Sequence, residues 1–549
     1  MCGIIAVYKH KNASSMVQSG LIRMHARGPD ASGQIDTDDY SIGHCRLGIM
    51  DPKSGAQPFK TDRGTVLSIN GEIYNYQILN TIHTGTVQTR SDCEVVAHLY
   101  DHFNEIMPDK REEWLSKFIN MLDGVYSFVL TDSEGRTIVA RDPIGVTPLY
   151  MGRWVKKPGI AFASELKALT GHMTDYVEVF EPGHYFDSVS NKTYKMDFRK
   201  NILTMDNFKP GEGNLGVSLD NILTRAVHKR LMSDVPWGIL LSGGLDSSII
   251  AALAVKERGG DPSWINTFSC GFEGSPDMKY AREMAEHLGT THHELILDPE
   301  ELFNNIHKTI WALETYDVTT IRAGTPMMYL AEYISKKGYK MVLSGEGSDE
   351  MFGGYLYFKN APNEKEFQAE TIRKLKQLHS YDCLRANKAM AAFGVECRVP
   401  FLDLNVIEHV VAMKPVLKMC KDVPEKNVLR EKFKHLLPES IYRRQKEQFS
   451  DGVGYNWIDM LKERFDKIVS PQLWEKRKQM FPVNTPKTKE AFYYRHRFHK
   501  AYHTAGAVLT VPHGDTCACS SAEATLWKGN EVNDASGRSV KSHINTNVD

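Results

Sequence analysis

The alternation of apolar and polar positions changes rhythm along this chain. The first 190 or so residues carry short β-type runs: VLSIN (66–70), VYSFVL (125–130), TIVAR (137–141) and PLYMG (148–152). Turn-forming Gly, Pro, Asp and Ser separate them, and a helical pattern, SDCEVVAHLYDHF (91–103), lies between. The pattern predicts an α+β unit rich in sheet over 2–205. The passage NFKPGEGNLG has few apolar residues to anchor a core, and a linker is expected over 206–216. Apolar strands then alternate with helical segments: GILL, SSIIAALAVKERGG, INTFSCGF, KYAREMAEHLG, HHELIL and KMVLS. This order predicts a doubly wound, mainly parallel sheet, an α/β unit with added helices from about 355 to 505, covering 217–510 in all. Residues 511–549 read as a loose polar tail with few large side chains to bury. No internal repeat is visible.

A chain of 549 residues is too long for one core at roughly 150 residues per domain. Lys plus Arg (67) balance Asp plus Glu (68), so no basic excess favours a polyanion, and nucleic acid is not an expected partner. No apolar run is long enough to span a membrane, and MCGIIAVYKHKN lacks the charged-then-apolar order of a signal peptide. A cytoplasmic protein is expected. Nine cysteines without a C-x-x-C pair indicate neither a disulfide framework nor a zinc knuckle.

Cys2 is the first residue with chemistry. Trimming of Met1 would leave a thiol and a free α-amine on one residue, and an amine titrating near neutral pH serves as its own general base. RGPD (27–30), NGEIYN (70–75) and TRSD (89–92) supply a tight turn, an amide beside a glycine, and a carboxylate. Such groups suit an amide substrate. The Asn70 amide and the Gly71 N–H would donate to an oxyanion, Arg46 would clamp an α-carboxylate, and Asp92 or Glu72 would receive an α-ammonium. Taken singly, each has a plainer reading: a surface ion pair for Arg46, a helix cap for Asp92, a hairpin turn for Asn-Gly.

Together with Cys2, the segments C-G-I, R-G-P-D, R-L-x-I-x-D, G-A-Q-P, N-G-E-I-Y-N, S-D-C-E and R-D-x-x-G-x-x-P-L-Y resemble the class II glutamine amidotransferases. The resemblance implies an N-terminal nucleophile hydrolase αββα sandwich that hydrolyses glutamine to glutamate and ammonia. Its glutamine site would take Arg46, Leu47, Gly48, Ile49, Met50, Asn70, Gly71, Glu72 and Asp92. One departure is that Ala26 precedes Arg27 where the family usually writes histidine, with His25 one place earlier.

The segment S-G-G-L-D-S (242–247) follows an apolar strand and opens a helix expected to be amphipathic, so glycines and free N–H groups face an anion. It lacks the G-K-[ST] ending of a Walker A loop. It resembles the pyrophosphate loop of ATP pyrophosphatases. KMVLSGEGSDEMFGGY (340–355) adds Glu346, Asp349 and Glu350 after a second strand, where α/β sheets bind ligands. With DVTTIRAGTPM, RANKAMAAFGVECRVPFLD and RQKEQFSDGVGY, these segments resemble the glutamine-hydrolysing asparagine synthetases.

That resemblance implies aspartate plus ATP giving β-aspartyl-AMP and pyrophosphate, then attack by ammonia to give asparagine and AMP. It implies ATP contacts at Leu231, Ser242, Gly243, Gly244, Asp246, Ser247, Cys270, Ser344 and Gly345, with Mg²⁺ on Asp246 and Asp349. Glu346 would be the base in the second step, Lys446 would neutralise phosphate charge, and Thr320 with Arg322 would meet aspartate. No tightly bound organic cofactor is expected, and the partners would be the small molecules glutamine, aspartate and ATP, with a homodimer compatible. His292 and His293 point to opposite faces of a strand and read as structural. Ammonia leaking to water would protonate, so a shielded path between the sites is expected. The competing readings are a sister enzyme aminating or cyclising another acceptor, a tRNA-modifying nucleotide enzyme, and a non-catalytic sensor. Cys2 argues against the first, balanced charge against the second, and Cys2, Asp246 and Glu346 against the third.

Overall fold

The computed structural model describes residues 1–171, 173–197, 203, 205, 218–421, 423–446, 449–454, 456–512 and 520–530. The linker expected at 206–216 lies outside the described residues.

The N-terminal unit is built from two antiparallel six-stranded sheets. In the first, Tyr176–Val179, Tyr150–Arg153, Ile160–Ala163, Gly3–Tyr8, Tyr40–Arg46 and Ala31–Asp36 lie side by side. In the second, the order is Lys192–Lys195, His184–Asp187, Thr137–Arg141, Gly124–Thr131, Val66–Ile73 and Phe59–Lys60. Side chains alternate across each strand, and here both faces are covered. Ile4 and Ala6 meet Val66, Val129 and Val139 between the sheets, while Ile5 and Val7 turn outward to Val17 and Met24 of the helix Ala13–Met24. Leu67, Ile69 and Phe128 of the other sheet pack outward on the helices Val95–Ile106 and Arg111–Asn120. Burial on both faces is why GIIAVY and FVL read as continuous apolar runs. The layers are those of an αββα sandwich. The expected run PLYMG starts as a strand only at Tyr150.

The C-terminal unit has a five-stranded, wholly parallel sheet: Thr291–Ile296, Asn266–Gly271, Trp237–Leu240, Met341–Leu343 and Glu396–Arg398. Trp237–Leu240 comes first in the chain and lies central, with strands added first on one side and then on the other. Its boundary with Met341–Leu343 is therefore the topological switch point, where strand-end loops diverge and leave a crevice. The helix Leu245–Arg258 that leaves this point is buried from Leu245 through Ala254 except at Asp246, so its apolar face is far broader than the stripe expected. His292 bridges Thr267 and Ser269 across the edge strands at 2.9 and 3.0 Å, while His293 bonds Asn266 at 2.7 Å, both holding strands together as expected.

The units are joined by buried charges. Glu314 accepts the backbone N–H groups of Leu166 and Lys167 at 2.8 and 2.7 Å and pairs with the ammonium groups of Lys167 and Lys388. Arg27 donates to the Cys2 carbonyl at 2.8 Å and pairs with Glu165, and it reaches Asn387 at 3.0 Å in the C-terminal unit. The polar tail contains a docked piece. Around Ser520–Asn530, Trp527 and Ala524 pack on Tyr357, Phe358 and Phe367, and Ser521 donates its N–H to the buried Glu370 at 2.9 Å. Hydrogen bonding from small polar residues, invisible to an apolar count, fixes this stretch.

Candidate active sites

Cys2 stands at the head of the strand Gly3–Tyr8, paired through Gly3 with Cys45 of its neighbour. A side chain at Gly3 would meet the Cys45 sulfur at 2.5 Å, and one at Gly28 would collide with the Cys45 carbonyl. The R-G-P turn is thereby pressed against the strand that carries Arg46. The Cys2 sulfur receives the Leu47 N–H at 3.4 Å. Burial raises the thiol's pKa, opposed by the N-terminal ammonium and the Leu47 N–H. A nearby base is therefore needed to ionise it.

The segment 46–50 forms a loop held from inside. Arg46 donates to the carbonyls of Pro52, Met50 and Asp51 at 3.2, 3.1 and 2.5 Å, so its guanidinium braces the loop. Gly48 N–H is tied to Asp30 at 2.7 Å, Ile49 carbonyl accepts from Asp234 N–H at 3.0 Å, and Leu47 and Ile49 pack on Met341.

Asn70 and Gly71 lie within the strand Val66–Ile73 opposite Ser127 and Tyr126, which removes the hairpin-turn alternative. A side chain at Gly71 would strike the Val125 carbonyl. Asn70 is fully buried, yet neither its amide nitrogen nor its oxygen has a hydrogen-bond partner among the described residues. A buried orphan amide is costly, and an incoming amide or oxyanion would satisfy it. Asp92 accepts the Ile73 N–H at 2.7 Å and does not cap the helix that begins at Val95. Burial pushes its pKa up to about 6, against the Ile73 N–H and Arg398. Burial also raises Glu72 well above the usual carboxylate range, with Arg398 opposing and Asp92 adding to the rise. A cation brought alongside these two buried carboxylates offsets the cost of their charge.

The second site fills the crevice at the switch point. Ser242, Gly244 and Ser247 knot the loop: Ser242 N–H donates to the Ser247 hydroxyl at 3.3 Å, and the two hydroxyls lie 3.1 Å apart. Gly243 has φ +68° and its α-carbon abuts the backbone of Tyr280 and Ala281. Gly345 presses on the backbone of Asp246 and Ser247, so the two strand-end loops touch. Cys270, Ser344 and Gly345 line the same cleft with Asp246, Glu346, Asp349 and Lys446. Burial raises the Cys270 thiol, which leaves it unreactive.

Three expected contacts have other surroundings. Leu231 is partly buried against the core, while Leu240 and Leu241, at the end of the central strand, line the cleft. Thr320 bonds Asp317 at the helix start through its hydroxyl and N–H. Arg322 forms a buried two-point pair with Glu490 at 2.8 and 2.5 Å. Within the helix Val318–Lys336, Thr319, Ala323 and Met327 face the cleft at four-residue spacing, so positions 320 and 322 fall on other faces.

Residues outside the sequence reading complete the site. Arg385 donates to Glu346 at 2.9 Å and pairs with Asp382. Tyr355 bonds Glu350 at 2.5 Å and Asp382 at 3.0 Å. Burial raises Glu346, opposed by Arg385, and pushes Glu350 up to about 8. Asp246 and Asp349 converge on one ammonium, that of Lys426, and Lys446 adds a second contact to Asp349 at 2.9 Å. Burial acts against the Lys446 charge, but Asp349 and Asp246 outweigh it and hold the ammonium protonated. Asp382 and Arg385 open a helix, Asp382–Ala391, whose other end carries Asn387 and Lys388 to the N-terminal unit.

The comparisons agree with this geometry. The model of a glutamine amidotransferase domain matches residues 1–213, and that of asparagine synthase matches 218–369 and 359–527. The chain is 45% identical over 571 residues to an asparagine synthetase [glutamine-hydrolyzing] of Zea mays, covering 100% of this chain and 95% of that protein. It is 45% identical to asparagine synthetase [glutamine-hydrolyzing] 2 of Oryza sativa subsp. japonica, over 96% of this chain and 90% of the relative. It is 44% identical to asparagine synthetase [glutamine-hydrolyzing] 3 of Arabidopsis thaliana, over 98% and 94%. With Cys2 at the head of a strand of the antiparallel unit, a glycine-rich loop at the switch point of the parallel one, and full-length identity of this order, the chain belongs to the family of glutamine-hydrolysing asparagine synthetases.

Proposed function

We propose that the chain makes L-asparagine from L-aspartate and ATP with ammonia drawn from L-glutamine, through β-aspartyl-AMP, releasing AMP, pyrophosphate and glutamate. In the glutaminase half, the Cys2 α-amine takes the thiol proton once Met1 has been removed. The thiolate attacks the carboxamide carbon, and the Asn70 amide with the Gly71 N–H stabilises the oxyanion. Ammonia leaves, and water hydrolyses the thioester to glutamate. Glu72 and Asp92 hold the substrate's α-ammonium, and the loop 46–50 surrounds its α-carboxylate.

In the cleft, a carboxylate oxygen of aspartate attacks the α-phosphorus of ATP and pyrophosphate departs into the Ser242–Ser247 loop. Ammonia then attacks the acyl carbon, Glu346 accepts a proton, and AMP leaves with the oxygen that was aspartate's. Lys446 offsets charge on the phosphates. Asp246 and Asp349 already share one cation, and two carboxylates beside phosphate oxygens fit Mg²⁺, which takes few protein ligands. When bound there, Mg²⁺ would neutralise charge on the departing pyrophosphate. No described helix is long and apolar enough to cross a membrane.

The observation that carries the reading is that Glu346, clamped by Arg385, lines one cleft with the S-G-G-L-D-S loop. The test is aspartate labelled with ¹⁸O in its side-chain carboxylate. Mass spectrometry should find one label in AMP and none in pyrophosphate. ADP and labelled orthophosphate as products would overturn the adenylate.

A further inference from the structure

Glu72, Asp92 and Glu396 are 5%, 2% and 4% exposed and lie within electrostatic reach of one another. Two belong to the glutaminase unit. Glu396 comes from the edge strand of the parallel sheet, and so does Arg398, the guanidinium facing all three. Arg398 pairs with Glu72 at 3.0 Å and with Glu396 at 2.7 Å. Its orientation is fixed from the opposite side by the carbonyls of Arg230 and Met232, at 2.9 and 2.5 Å. Its own carbonyl accepts the N–H of Ser344, the first residue of the loop that carries Glu346, at 2.9 Å.

The charges do not balance without a ligand. Three buried carboxylates face Arg398 and the N-terminal ammonium, which lies 3.2 Å from Glu396 on Met1. Once Met1 is gone, the amine on Cys2 must be neutral to act as a base. Arg398 then faces three carboxylates alone, and the α-ammonium of glutamine supplies one of the two positive charges that are lacking. A buried carboxylate without a partner protonates, and a protonated Glu72 would give an ammonium no attraction.

We infer that Arg398 is a positioning residue for the glutamine site, holding the Glu72 carboxylate in place and aimed at the substrate's α-ammonium from the synthetase side of the interface. The inference rests on the reading of Glu72 as a glutamine contact. The glutamine site is then completed by a side chain of the synthetase sheet, and the strand that supplies it also bonds the loop that carries Glu346.

The experiment uses the full chain and two substrates: glutamine, and glutaramate, which has the same carboxamide and carboxylate but no α-ammonium. Arg398→Met should raise KM for glutamine by ~30-fold or more, with a smaller change in kcat, because a buried charge has lost its partner. KM for glutaramate should stay near the wild-type value, so the preference for glutamine collapses. Glu72→Gln should lose the same preference, and the double variant should lose no more than either single one. Arg398→Lys, which keeps the charge without the fork, should fall between. A purely structural role would depress both substrates equally and leave the preference intact, which would overturn the inference. Circular dichroism reports the fold; if Arg398→Met is misfolded, Arg398→Lys decides, and wild-type preference in that variant would overturn the inference. Wild-type protein that hydrolyses neither substrate would overturn the glutaminase reading and this inference with it, whereas wild-type activity with undiminished preference in Arg398→Met refutes this inference alone.

Discussion

The carboxylate of Glu314 accepts the backbone N–H of Leu166 at 2.8 Å, across the boundary between the two units. Glu314 is 1% exposed, with φ +57°, a left-handed conformation a glutamate adopts only when its surroundings impose it. Those surroundings are Lys167 and Lys388, the latter also bonded to the Tyr150 hydroxyl at 2.8 Å. Tyr150 and Lys167 belong to the antiparallel unit and Lys388 to the helix that begins in the synthetase cleft. The interface is thus held by ions that neither unit could leave unpaired.

This arrangement predicts acid lability. Burial would raise the Glu314 pKa, but Lys167 and Lys388 outweigh it and hold the group at about 2. A carboxyl depressed in the folded state stabilises it fully above the ordinary value of 4.5, and that contribution is lost as pH falls to about 2. Urea midpoints measured between those limits should fall steeply. Glu396 and Asp349, also held at about 2, act in the same window, so Glu314→Gln should flatten the profile only in part. At neutral pH that variant should lose roughly 3–5 kcal/mol, the usual result of breaking a buried ion pair from one side.

Separate chemistries in the two units predict separable variants. Cys2→Ala removes a thiol whose hydrogen bonds run to the backbone of Leu47, so its fold should persist. Glutamine-dependent asparagine formation should drop to background, while ammonium chloride restores synthesis because the cleft around Glu346 is untouched. Glu346→Ala should do the reverse, releasing glutamate but making little asparagine from either nitrogen source. Parallel assays of glutamate, AMP and asparagine decide the matter; loss of ammonia-dependent synthesis in folded Cys2→Ala protein would contradict it.

Much of this was legible in the sequence, and the exceptions have physical causes. The strands at 66–70, 125–130 and 137–141 announced themselves because both their faces are buried. The loop at 242–247 did so because a strand, two glycines and a helix come in the order that anion binding requires. Leu240 and Leu241 were not legible as lining because only the fold shows where a strand of the parallel sheet opens into the crevice. Thr319, Ala323 and Met327 were not legible because motif proximity to Thr320 and Arg322 says nothing of helix phase. The pairing of Arg398 with Glu72 could not be read at all: nothing local in either segment encodes a contact between two units. In the tail, Ser521 and Trp527 dock through one carboxylate and a few rings, too few to raise the segment's apolar count.

The nucleotide loop makes a backbone prediction. Gly243 sits at φ +68° with Tyr280 and Ala281 packed against the place a side chain would occupy. Gly243→Ala should therefore meet both a left-handed backbone penalty of roughly 1–3 kcal/mol and a collision with main chain that cannot retreat. AMP and pyrophosphate formation should fall by at least ~100-fold with glutamine or ammonia, by analogy with other losses of pre-organised anion contacts. Glutamine hydrolysis should continue at its wild-type rate. Wild-type AMP formation in this variant would show that the loop does not hold the phosphates.

The N-terminus yields the last prediction. Met1 is 4% exposed, its ammonium lies 3.2 Å from Glu396, and its sulfur contacts Asn387 and Arg27 at 2.6 and 3.9 Å. While Met1 is present, the Cys2 nitrogen is an amide and has no lone pair to take the thiol proton, and burial keeps that thiol protonated. Active protein should therefore lack Met1 by intact-mass analysis. A chain that has folded with Met1 in place should resist removal of it, because an aminopeptidase must bind a free ammonium that here is enclosed and ion-paired. Protein prepared with Met1 retained should make asparagine from ammonia but release no glutamate from glutamine. Treatment with a methionine aminopeptidase should leave the native form unchanged and trim it after denaturation. Glutamine hydrolysis by a preparation whose mass still includes Met1 would show that the Cys2 amine is not the base.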